Sequence, residues 1–443
     1  MIRRAGRSAS ILAAVVAITF LATRASASET ADLRCNELMK ALGSADYAAA
    51  IAYFDPTMKA GFSPERLGSL WQSLTAAHGK LIGWKIAQRS TDNCRETIVA
   101  PLKFDHDSDL AAFISVNPSG EVSGLYFAPA PHTPVPATPA TSPPSGVAKN
   151  FDSIDVLVGH AFELCGTITI PATGTGPWPG VVLLGFSGPA DRDETIGPNH
   201  IFKDIAEGLS SRGIVVLRYD KRTHAYGDKI DFRHLTIKEE YLDDGVAAVN
   251  LLRSRSEVAK DRIFIAGHSQ GGIVAPEVAR EAAPVQGLIL LAPPSGYKVG
   301  AAVVRATRRL GEISQPQLAE LERKARELDR HQMPPTEIFA NKPASYSYDL
   351  VGRNEVAVAR QLGVPILILH GGRDYSVLDE EIEHWQKGLK GVPHVRVETV
   401  PALNHVFLAG TGKPNDREYE NPGHVDPRVI DAMAAFIKNP LAN

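Results

Sequence analysis

The sequence is short of cysteine and has no excess of charge of either sign, and both facts restrict what the protein can be. Only 3 of its 443 residues are cysteine, which is too few for a disulfide scaffold. Lys and Arg number 47 against 50 Asp and Glu, so the formal net charge is -3. This balance argues against nucleic acid or an anionic membrane surface as a main partner.

Cofactor and metal motifs are also missing. The chain has no Gly-rich phosphate loop, no dinucleotide fingerprint and no Cys/His spacing suited to structural zinc. We therefore expect neither a cofactor nor a metal. Beyond residue 22 no apolar run approaches the roughly 20 residues that a spanning helix needs. The composition, 44% hydrophobic and 22% charged, is that of an ordinary globular protein.

The first 27 residues have the pattern of a secretory signal peptide. Arg3, Arg4 and Arg7 form a positive segment, residues 11–22 are apolar, and residues 25–27 read Ala-Ser-Ala. We expect cleavage after Ala27 and export to the periplasm or the medium. An uncleaved membrane anchor is the alternative, but the apolar core is short for a span.

Export bears on the cysteines, because an oxidising compartment lets thiols pair. Cys35 and Cys94 lie in the same N-terminal region, and Cys165 lies further along. We predict a Cys35–Cys94 disulfide and a buried Cys165 outside any bridge. The alternative is three small hydrophobic residues without a bridge.

Composition divides the mature chain into two domains joined by a linker. Residues 28–128 predict a small α+β domain, in which helices precede strands at 81–87, 96–104, 110–116 and 121–127. Residues 129–146 are rich in proline, which favours an extended linker. In the small domain Trp71, Trp84 and His78 are expected to pack in a core rather than to line a pocket.

Residues 147–443 alternate between buried strands and helices. We predict strands at 154–158, 162–170, 181–184, 214–217, 263–266, 288–291, 366–369 and 395–397, the first two antiparallel. Continuous apolar runs of this kind predict a doubly wound, mostly parallel sheet. Residues at about 295–362 form an insertion too long to lack structure, so we predict a helical cap. Phe339, Tyr346 and Tyr348 either line a substrate pocket there or fix the cap to the core.

The strongest local motif is a serine in a strand-to-helix turn. An apolar run is followed by Gly267-His268-Ser269-Gln270-Gly271 and then by a small-residue helical segment. The glycines remove side chains that would collide in so tight a turn, which leaves Ser269 strained and exposed at the carboxyl edge of the sheet. Such a serine can act as a nucleophile. A Gly-rich turn without chemistry is the alternative, and His268 itself is expected to be structural.

A serine nucleophile needs a base and an acid that orients the base. Asp374 directly follows a predicted buried strand, and His405 follows the next one, so both are placed at the same sheet edge as Ser269. Proteins with this strand-turn-helix motif carry their catalytic residues in the order Ser, Asp, His along the chain, as here. The other candidates are Asp379 and Glu383 for the acid and His384, His394 and His424 for the base.

With these motifs, residues 147–443 resemble the α/β-hydrolase superfamily, and within it the bacterial secreted esterases related to serine aminopeptidase-like hydrolases. Residues 185–194 (Gly-Phe-Ser-Gly-Pro-Ala-Asp-Arg-Asp-Glu) and 217–222 (Leu-Arg-Tyr-Asp-Lys-Arg) look like two further signatures of that group. The resemblance implies an α/β-hydrolase fold with Ser269 as nucleophile, Asp374 as acid and His405 as base. The small N-terminal domain resembles the cystatin-like domain that precedes some of these enzymes.

The same resemblance suggests the oxyanion hole. The backbone N–H groups of Gln270 and Ser187 are expected to bind the oxyanion. This sequence reads Gly185-Phe186 where His-Gly is common in the family, and a phenylalanine there is expected to narrow or re-aim the hole. A charge network is expected to brace these loops; its members are Asp191, Arg192, Asp220 and Arg222.

The sequence thus predicts a secreted serine carboxylesterase that acts on a small-molecule, short-chain ester through an acyl-enzyme on Ser269. Peptide hydrolysis of the aminopeptidase type and acyl transfer are the alternatives, because the same triad serves all three reactions. A third reading, a binding protein built on a degenerate hydrolase, would require a broken triad. The sequence indicates no oligomeric state.

Overall fold

The structure is a computed structural model that describes residues 27–92, 94–106, 110–130, 150–159, 162–282, 284–295, 298–310 and 313–442. Contacts divide the chain into two compact units, Met1–Thr138 and Pro139–Asn443, with a boundary inside the predicted linker. Residues 1–26 of the predicted signal peptide and most of the linker lie outside the described residues. No helix in the described ranges has both the length and the apolar character needed to cross a membrane.

The first unit is an α+β fold. Its helices are α1 (Ala27–Gly43), α2 (Tyr47–Ala52), α3 (Pro56–Gly61) and α4 (Pro64–His78), and its strands are β1 (Leu81–Trp84), β2 (Gln88–Asp92), β3 (Arg95–Phe104), β4 (Leu110–Val116) and β5 (Val122–Pro129). The sheet is antiparallel in the order β1-β3-β4-β5, and β2 also pairs with β3. The helices-then-sheet order agrees with the prediction, and the short strand β2 is additional to the predicted strands. The cystatin-like resemblance stays a prediction.

Aromatic residues of the first unit pack in its core. Trp71 is buried, and its ring lies 5.7 Å from that of Phe127. His78 lies against Phe104 with ring centroids 5.6 Å apart. Trp84 is half-buried and donates its indole N–H to Asn36 at 2.9 Å. These contacts favour packing over the pocket.

The predicted Cys35–Cys94 disulfide is wrong. Cys35 is a buried thiol on α1, in the apolar core of the first unit. Burial, helped by the nearby Asp32 carboxylate, raises the pKa of this thiol to about 12. Cys94 instead occupies the tight turn between β2 and β3, with a φ of 56°. Cys165 is buried in the second unit, as predicted.

The second unit is built on one large sheet. Its strands are β6 (Phe151–Val158), β7 (Leu164–Pro171), β8 (Trp178–Leu184), β9 (Thr195–Ile196), β10 (Asn199–His200), β11 (Val215–Tyr219), β12 (Val258–His268), β13 (Gly287–Leu291), β14 (Ile338–Phe339), β15 (Lys342–Pro343), β16 (Ile366–Gly371) and β17 (Val395–Val400). Its helices are α5 (Ile201–Ser210), α6 (Arg222–Ala225), α7 (Asp243–Ser254), α8 (Gln270–Ala282), α9 (Val299–Leu310), α10 (Gln315–Asp329), α11 (Ala344–Gly352), α12 (Glu355–Leu362), α13 (Asp379–Gly388) and α14 (Pro427–Lys438). A π-helix, Lys238–Leu242, leads into α7, and short 3-10 helices occupy Gly227–Lys229 and Asp416–Glu420.

Eight strands form the central sheet in the order β17-β16-β13-β12-β8-β11-β7-β6. The pairings of β7 with β6 and with β11 are antiparallel, and the other described pairings of this sheet are parallel. All eight predicted strands are present. One face carries a core that includes Val278 of α8 and Trp385 of α13, and the other a core that includes Ile205 of α5 and Phe436 of α14. Helices therefore cover both faces, which confirms the predicted doubly wound α/β architecture.

The insertion between β13 and β16 has two parts. The hairpin of α9 and α10 packs with Phe339 in a small apolar core of its own. Leu350 of α11 and Ala359 of α12 instead join the core of the main sheet. The predicted cap at 295–362 therefore includes, at its C-terminal end, a helix that belongs to the sheet as an ordinary crossover.

Trp385 tests how much the sheet depends on α13, because its side chain is fully buried in the core that covers this face of the sheet. We expect Trp385→Ala to lower the free energy of unfolding by about 3–5 kcal/mol, since the cavity cannot collapse. Urea denaturation of the full chain measures this. Glu383→Ala, on the exposed face of the same helix, is the matched control and should change it by less than about 0.5 kcal/mol. Similar losses in both variants would contradict the packing described.

Candidate active site

Ser269 lies in the sharp turn between β12 and α8. Its φ is 51°, a left-handed conformation that a non-glycine residue adopts at a cost. The turn is fixed by a hydrogen bond from the Ser269 N–H to the Leu291 carbonyl, at 2.8 Å, and by one from the Gly272 N–H to the Ser269 carbonyl, at 2.9 Å. The serine is half-buried at the carboxyl edge of the sheet.

Two glycines make this turn sterically possible. A Cβ at Gly267 would overlap the carbonyl of Gly271, and a Cβ at Gly271 would overlap the carbonyl of Leu184 at the end of β8. Both obstacles are backbone atoms, which cannot move aside as a flexible side chain can. The predicted reason for glycine at these two positions is therefore present in the structure.

Asp374 and His405 form a hydrogen-bonded pair beside this turn. Asp374 follows β16 and is fully buried, while the side chain of His405, in the loop after β17, is 13% exposed. His405 Nδ1 lies 2.7 Å from Asp374 Oδ2. The other carboxylate oxygen, Oδ1, accepts the backbone N–H groups of Ser376 and Val377 at 2.8 and 2.9 Å.

This arrangement keeps Asp374 ionised. Burial would raise the pKa of Asp374, but the nearby His405 charge and the hydrogen bonds from His405 and Val377 hold that pKa below its ordinary value. When the His405 ring is neutral, the ionised Asp374 accepts its Nδ1–H, and Nε2 is then the nitrogen without a proton. Among the described residues neither this nitrogen nor the Ser269 hydroxyl makes a hydrogen bond. Catalytic hydrogen bonds of this kind often tighten only when substrate binds.

The other candidate acids and bases lie elsewhere. The Asp379 side chain is 84% exposed at the start of α13, and its Oδ1 lies 3.3 Å from His370 Nε2 and not beside His405. Glu383 forms an exposed pair with Lys387 on the same helix. His384 is on α13, His394 lies in the turn before β17, and His424 is exposed beside Asp204.

His268, inside the turn, links the base to the rest of the site. Its Nδ1 lies 2.9 Å from Glu194 Oε2, and its Nε2 lies 3.0 Å from the His405 carbonyl oxygen. A backbone carbonyl and an ionised carboxylate both accept hydrogen bonds, so this arrangement favours a ring with a proton on each nitrogen. Burial would lower the pKa of His268, but the Glu194 charge and the two hydrogen bonds raise it above its ordinary value.

The loop after β8 and the start of α8 provide backbone N–H groups that could bind an oxyanion. The Phe186 N–H donates to Glu194 Oε1 at 2.7 Å, so it is already used. Within the described residues the N–H groups of Ser187 and Gln270 have no protein acceptor. Gln270 is also the first residue of α8, where the helix dipole favours negative charge. The Phe186 ring packs edge-on against His268, with centroids 6.4 Å apart.

The predicted bracing network consists of separate pairs. Arg192 donates its backbone N–H to Asp220 at 2.7 Å, and its guanidinium lies 3.4 Å from the same carboxylate. Asp191 accepts the N–H of Thr195 at 2.9 Å. Arg222 does not join them, because it forms a buried pair with Asp244 of α7 at 2.7 Å.

A buried charge cluster behind the oxyanion loop was not predicted. We call it the Glu240 cluster; its members are Lys221, Glu240, Tyr241, Lys342 and Tyr346. Lys221 lies in the motif of residues 217–222. Its position as a charged residue just after a buried strand was the sequence signal that could have identified it. Glu240 and Lys342 carried no signal, because each looks like a solvent-facing charge until the chain is folded. Of the three cap aromatics, Tyr346 reaches this cluster, Tyr348 donates to the Met333 carbonyl at 2.9 Å, and Phe339 fills the cap core.

No metal site accompanies these residues: the described part of the chain gathers no group of three or more His, Cys, Asp or Glu side chains that could hold an ion.

Comparison with known proteins gives a family and a relative. The family described as serine aminopeptidase, S33, matches residues 199–410. Esterase EstD of Thermotoga maritima is 37% identical over 412 residues, which cover 89% of this chain and 92% of the relative. Because this stretch is longer than Pro139–Asn443, the match also takes in part of the first unit.

Solved structures are similar at lower identity. Est1E of Butyrivibrio proteoclasticus is 21% identical, covers 65% of this chain and 99% of its own, and has a TM-score of 0.44. An esterase of Pyrococcus furiosus is 20% identical, covers 68% of this chain and 97% of its own, and has a TM-score of 0.45. The family assignment rests on the sequence relative and not on these structures.

Asp374→Asn tests the pairing with His405. Since Oδ1 already accepts two backbone N–H groups, the amide oxygen should take that place and the NH₂ group should face His405 Nδ1. The imidazole would then carry its proton on Nε2 and could not accept one from Ser269. We expect kcat on an activated ester to fall about 10⁴-fold with folding intact.

Circular dichroism and steady-state kinetics measure these two quantities. Asp379→Asn is the matched control, because the Asp379 side chain is largely exposed, and it should keep kcat within about twofold. A large loss in Asp379→Asn together with a small one in Asp374→Asn would reverse the assignment.

Proposed function

The chain belongs to the α/β-hydrolase family and is an esterase of that class, and on this premise we propose that it is an exported serine carboxylesterase for short-chain esters with the triad Ser269, Asp374 and His405. The observation that carries the proposal is the 2.7 Å pair of Asp374 and His405 beside a serine held at a φ of 51°. A strained serine and an oriented histidine are the two parts that nucleophilic catalysis needs.

In the acylation step Ser269 Oγ attacks the ester carbonyl carbon. His405 Nε2 takes the hydroxyl proton, and the ionised Asp374 stabilises the imidazolium that forms. The carbonyl electron pair moves onto oxygen, where the N–H groups of Gln270 and Ser187 bind the negative charge. When the tetrahedral intermediate collapses, His405 gives its proton to the leaving alcohol and the acyl group stays on Ser269.

In the deacylation step water replaces the alcohol. His405 Nε2 takes a proton from water as the oxygen attacks the acyl carbon, and the same two N–H groups bind the second oxyanion. Collapse returns the proton to Ser269 Oγ and releases the carboxylic acid. His268 supports both steps, because its hydrogen bond to the His405 carbonyl fixes the backbone that carries the base.

The preference for short acyl chains is supported by the surroundings of the hole. The Phe186 side chain lies against His268, next to the oxyanion donors. Tyr346, from the cap, is hydrogen-bonded to the Gln270 side chain at the first turn of α8. Tyr346 is itself only 2% exposed, so the half-buried Phe186 is the side chain whose bulk next to the donors favours small acyl groups.

Initial rates on p-nitrophenyl esters of increasing acyl length test the proposal. We expect kcat/KM to be highest for short chains and to fall for long ones, and Ser269→Ala to lose turnover by several orders of magnitude while remaining folded. Phe186→Ala should shift the optimum towards longer chains. Turnover retained in Ser269→Ala would reject the nucleophile, and equal rates for all chains would reject the size preference.

Amide hydrolysis is the second candidate, because the matching family is described as serine aminopeptidase. Ester and amide cleavage use the same triad, and the pocket decides between them. Aminoacyl p-nitroanilides assayed beside the p-nitrophenyl esters separate the two. Release of nitroaniline without ester turnover would replace the esterase proposal by the peptidase one.

Export is proposed from the first 27 residues, whose charge, apolar core and Ala-Ser-Ala end fit a signal peptide. Expression of the full chain in a bacterial host, followed by fractionation and N-terminal mass analysis, should find mature protein that begins at Ser28 outside the cytoplasm. Ala25→Phe is the control, because a large residue three positions before cleavage should block processing. An intact N-terminus in the cytoplasmic fraction would contradict export.

A further inference from the structure

The peptide group that carries the second oxyanion donor is held from behind by two side chains. The Phe186 carbonyl oxygen accepts hydrogen bonds from Lys221 Nζ at 3.0 Å and from the Tyr241 hydroxyl at 2.7 Å. The N–H of the same peptide group belongs to Ser187. Because a peptide group is planar, fixing its carbonyl also fixes the direction of its N–H.

Lys221 is fully engaged by its surroundings. Its Nζ lies 2.8 Å from Glu240 Oε1 and 2.7 Å from the Tyr241 hydroxyl, in addition to the Phe186 carbonyl. These three acceptors match the three hydrogens of an ammonium group. The side chain is only 4% exposed, so these partners set its position.

Glu240 connects this lysine to the cap and to the other donor. Its Oε2 accepts Lys342 Nζ at 2.9 Å and the Tyr346 hydroxyl, and both partners belong to the cap insertion. The Tyr346 hydroxyl in turn accepts a hydrogen bond from the Gln270 side chain. Gln270 carries the first oxyanion donor, so one buried carboxylate is linked to both halves of the hole.

We propose that Lys221 is a positioning residue for the oxyanion hole, which orients and polarises the Phe186–Ser187 peptide and is itself held in place by Glu240. The inference rests on the proposed function, because it needs Ser187 as an oxyanion donor. Hydrogen bonds donated to an amide oxygen draw electron density towards it and make the N–H of that amide a stronger donor. A charged donor does so more strongly than a neutral one.

Lys221→Met tests this role, because it removes the ammonium group and keeps an unbranched apolar side chain. On a short p-nitrophenyl ester we expect kcat to fall about 10-fold to 100-fold, with KM within about threefold, since the hole acts on the transition state and not on the bound ester. Tyr241→Phe removes only a hydroxyl from the same carbonyl. It should show the same pattern with a smaller loss and little risk to folding.

The matched control is the neighbouring buried pair of Arg222 and Asp244. It joins α6, just after β11, to α7, and among the described residues neither side chain is hydrogen-bonded to the loop that carries Ser187. We compare the double variants Arg222→Met/Asp244→Asn and Lys221→Met/Glu240→Gln. Both should lower the melting temperature. Only Lys221→Met/Glu240→Gln should lower kcat. Equal kcat losses in both double variants would show that Lys221 has only a structural role, and this would overturn the proposal.

A transition-state analogue gives a second readout. A short alkyl trifluoromethyl ketone forms a bond between Ser269 Oγ and its carbonyl carbon, while the serine proton passes to His405 and the carbonyl oxygen becomes an oxyanion in the hole. Its inhibition constant should rise in Lys221→Met by the same factor by which kcat/KM falls. An unchanged inhibition constant would overturn the proposal.

The charge on Lys221 also predicts a pH dependence. Burial lowers the pKa of Lys221 to about 8, against the opposing effect of Glu240. The groups that face it are Glu240, Tyr241, Lys342 and Glu194. The pKa of Glu240 is lowered to about 2, because Lys221 and Lys342 outweigh the effect of burial, and the pKa of Tyr241 is raised well above its ordinary value by burial, so neither titrates near pH 8.

We therefore expect kcat/KM to decline as the pH rises through about 8, where Lys221 loses its charge. This alkaline decline should be absent from Lys221→Met. The pKa of Lys342 is also lowered, mainly by burial. Lys342→Met should keep the decline but move it to higher pH, because the Lys342 charge is one of the causes that lower the pKa of Lys221. A decline that persists in Lys221→Met and disappears in Lys342→Met would contradict the assignment.

The outcomes separate this inference from the proposed function. A wild-type protein with no ester turnover would count against the proposed function itself. An active wild type whose kcat is unchanged in both Lys221→Met and Tyr241→Phe would leave that function standing and overturn the role of Lys221.

Discussion

The site depends on one close approach of backbone to backbone. The first turn of α8 passes so near the end of β8 that a Cβ at Gly271 would overlap the Leu184 carbonyl. That approach brings the Ser269 turn beside the loop that follows Leu184, which carries Ser187. The nucleophile and the second oxyanion donor therefore share one steric constraint. A side chain at Gly271 would push the first turn of α8 away from β8. The Ser269 turn would then move away from the loop that carries Ser187.

Two buried carboxylates, Glu194 and Glu240, then hold the groups that this backbone approach brings together. Glu194 holds the Phe186 N–H with one oxygen and the His268 ring with the other. Glu240 is a second fully buried carboxylate, and it is balanced by two lysines. Removal of one partner from such a pair leaves an uncompensated charge and is strongly destabilising. Side chains held in this way have few alternative positions, which suits groups that must aim N–H donors at an oxyanion.

Much of this arrangement could be predicted from the sequence, because its signals are local. Several of the eight central strands are continuous runs of apolar residues, and the carboxyl ends of the parallel strands β12, β16 and β17 lead to Ser269, Asp374 and His405. Lys221, Glu240 and Lys342 meet only in the folded chain, where strand order and the cap determine their distances. The disulfide prediction used proximity in the chain alone, and the actual geometry places Cys35 in a core.

The contact of Tyr346 and Lys342 with Glu240 has an evolutionary consequence. In many enzymes a cap can be exchanged to change the substrate while the catalytic centre stays intact. Here the cap supplies one of the two cations that balance Glu240 and the hydroxyl that reaches Gln270. A cap without this lysine and tyrosine would leave the carboxylate with one cation and the Gln270 side chain without its partner. If Lys221 and Glu240 position the oxyanion hole as proposed, a change of cap would therefore alter turnover as well as the substrate that is bound.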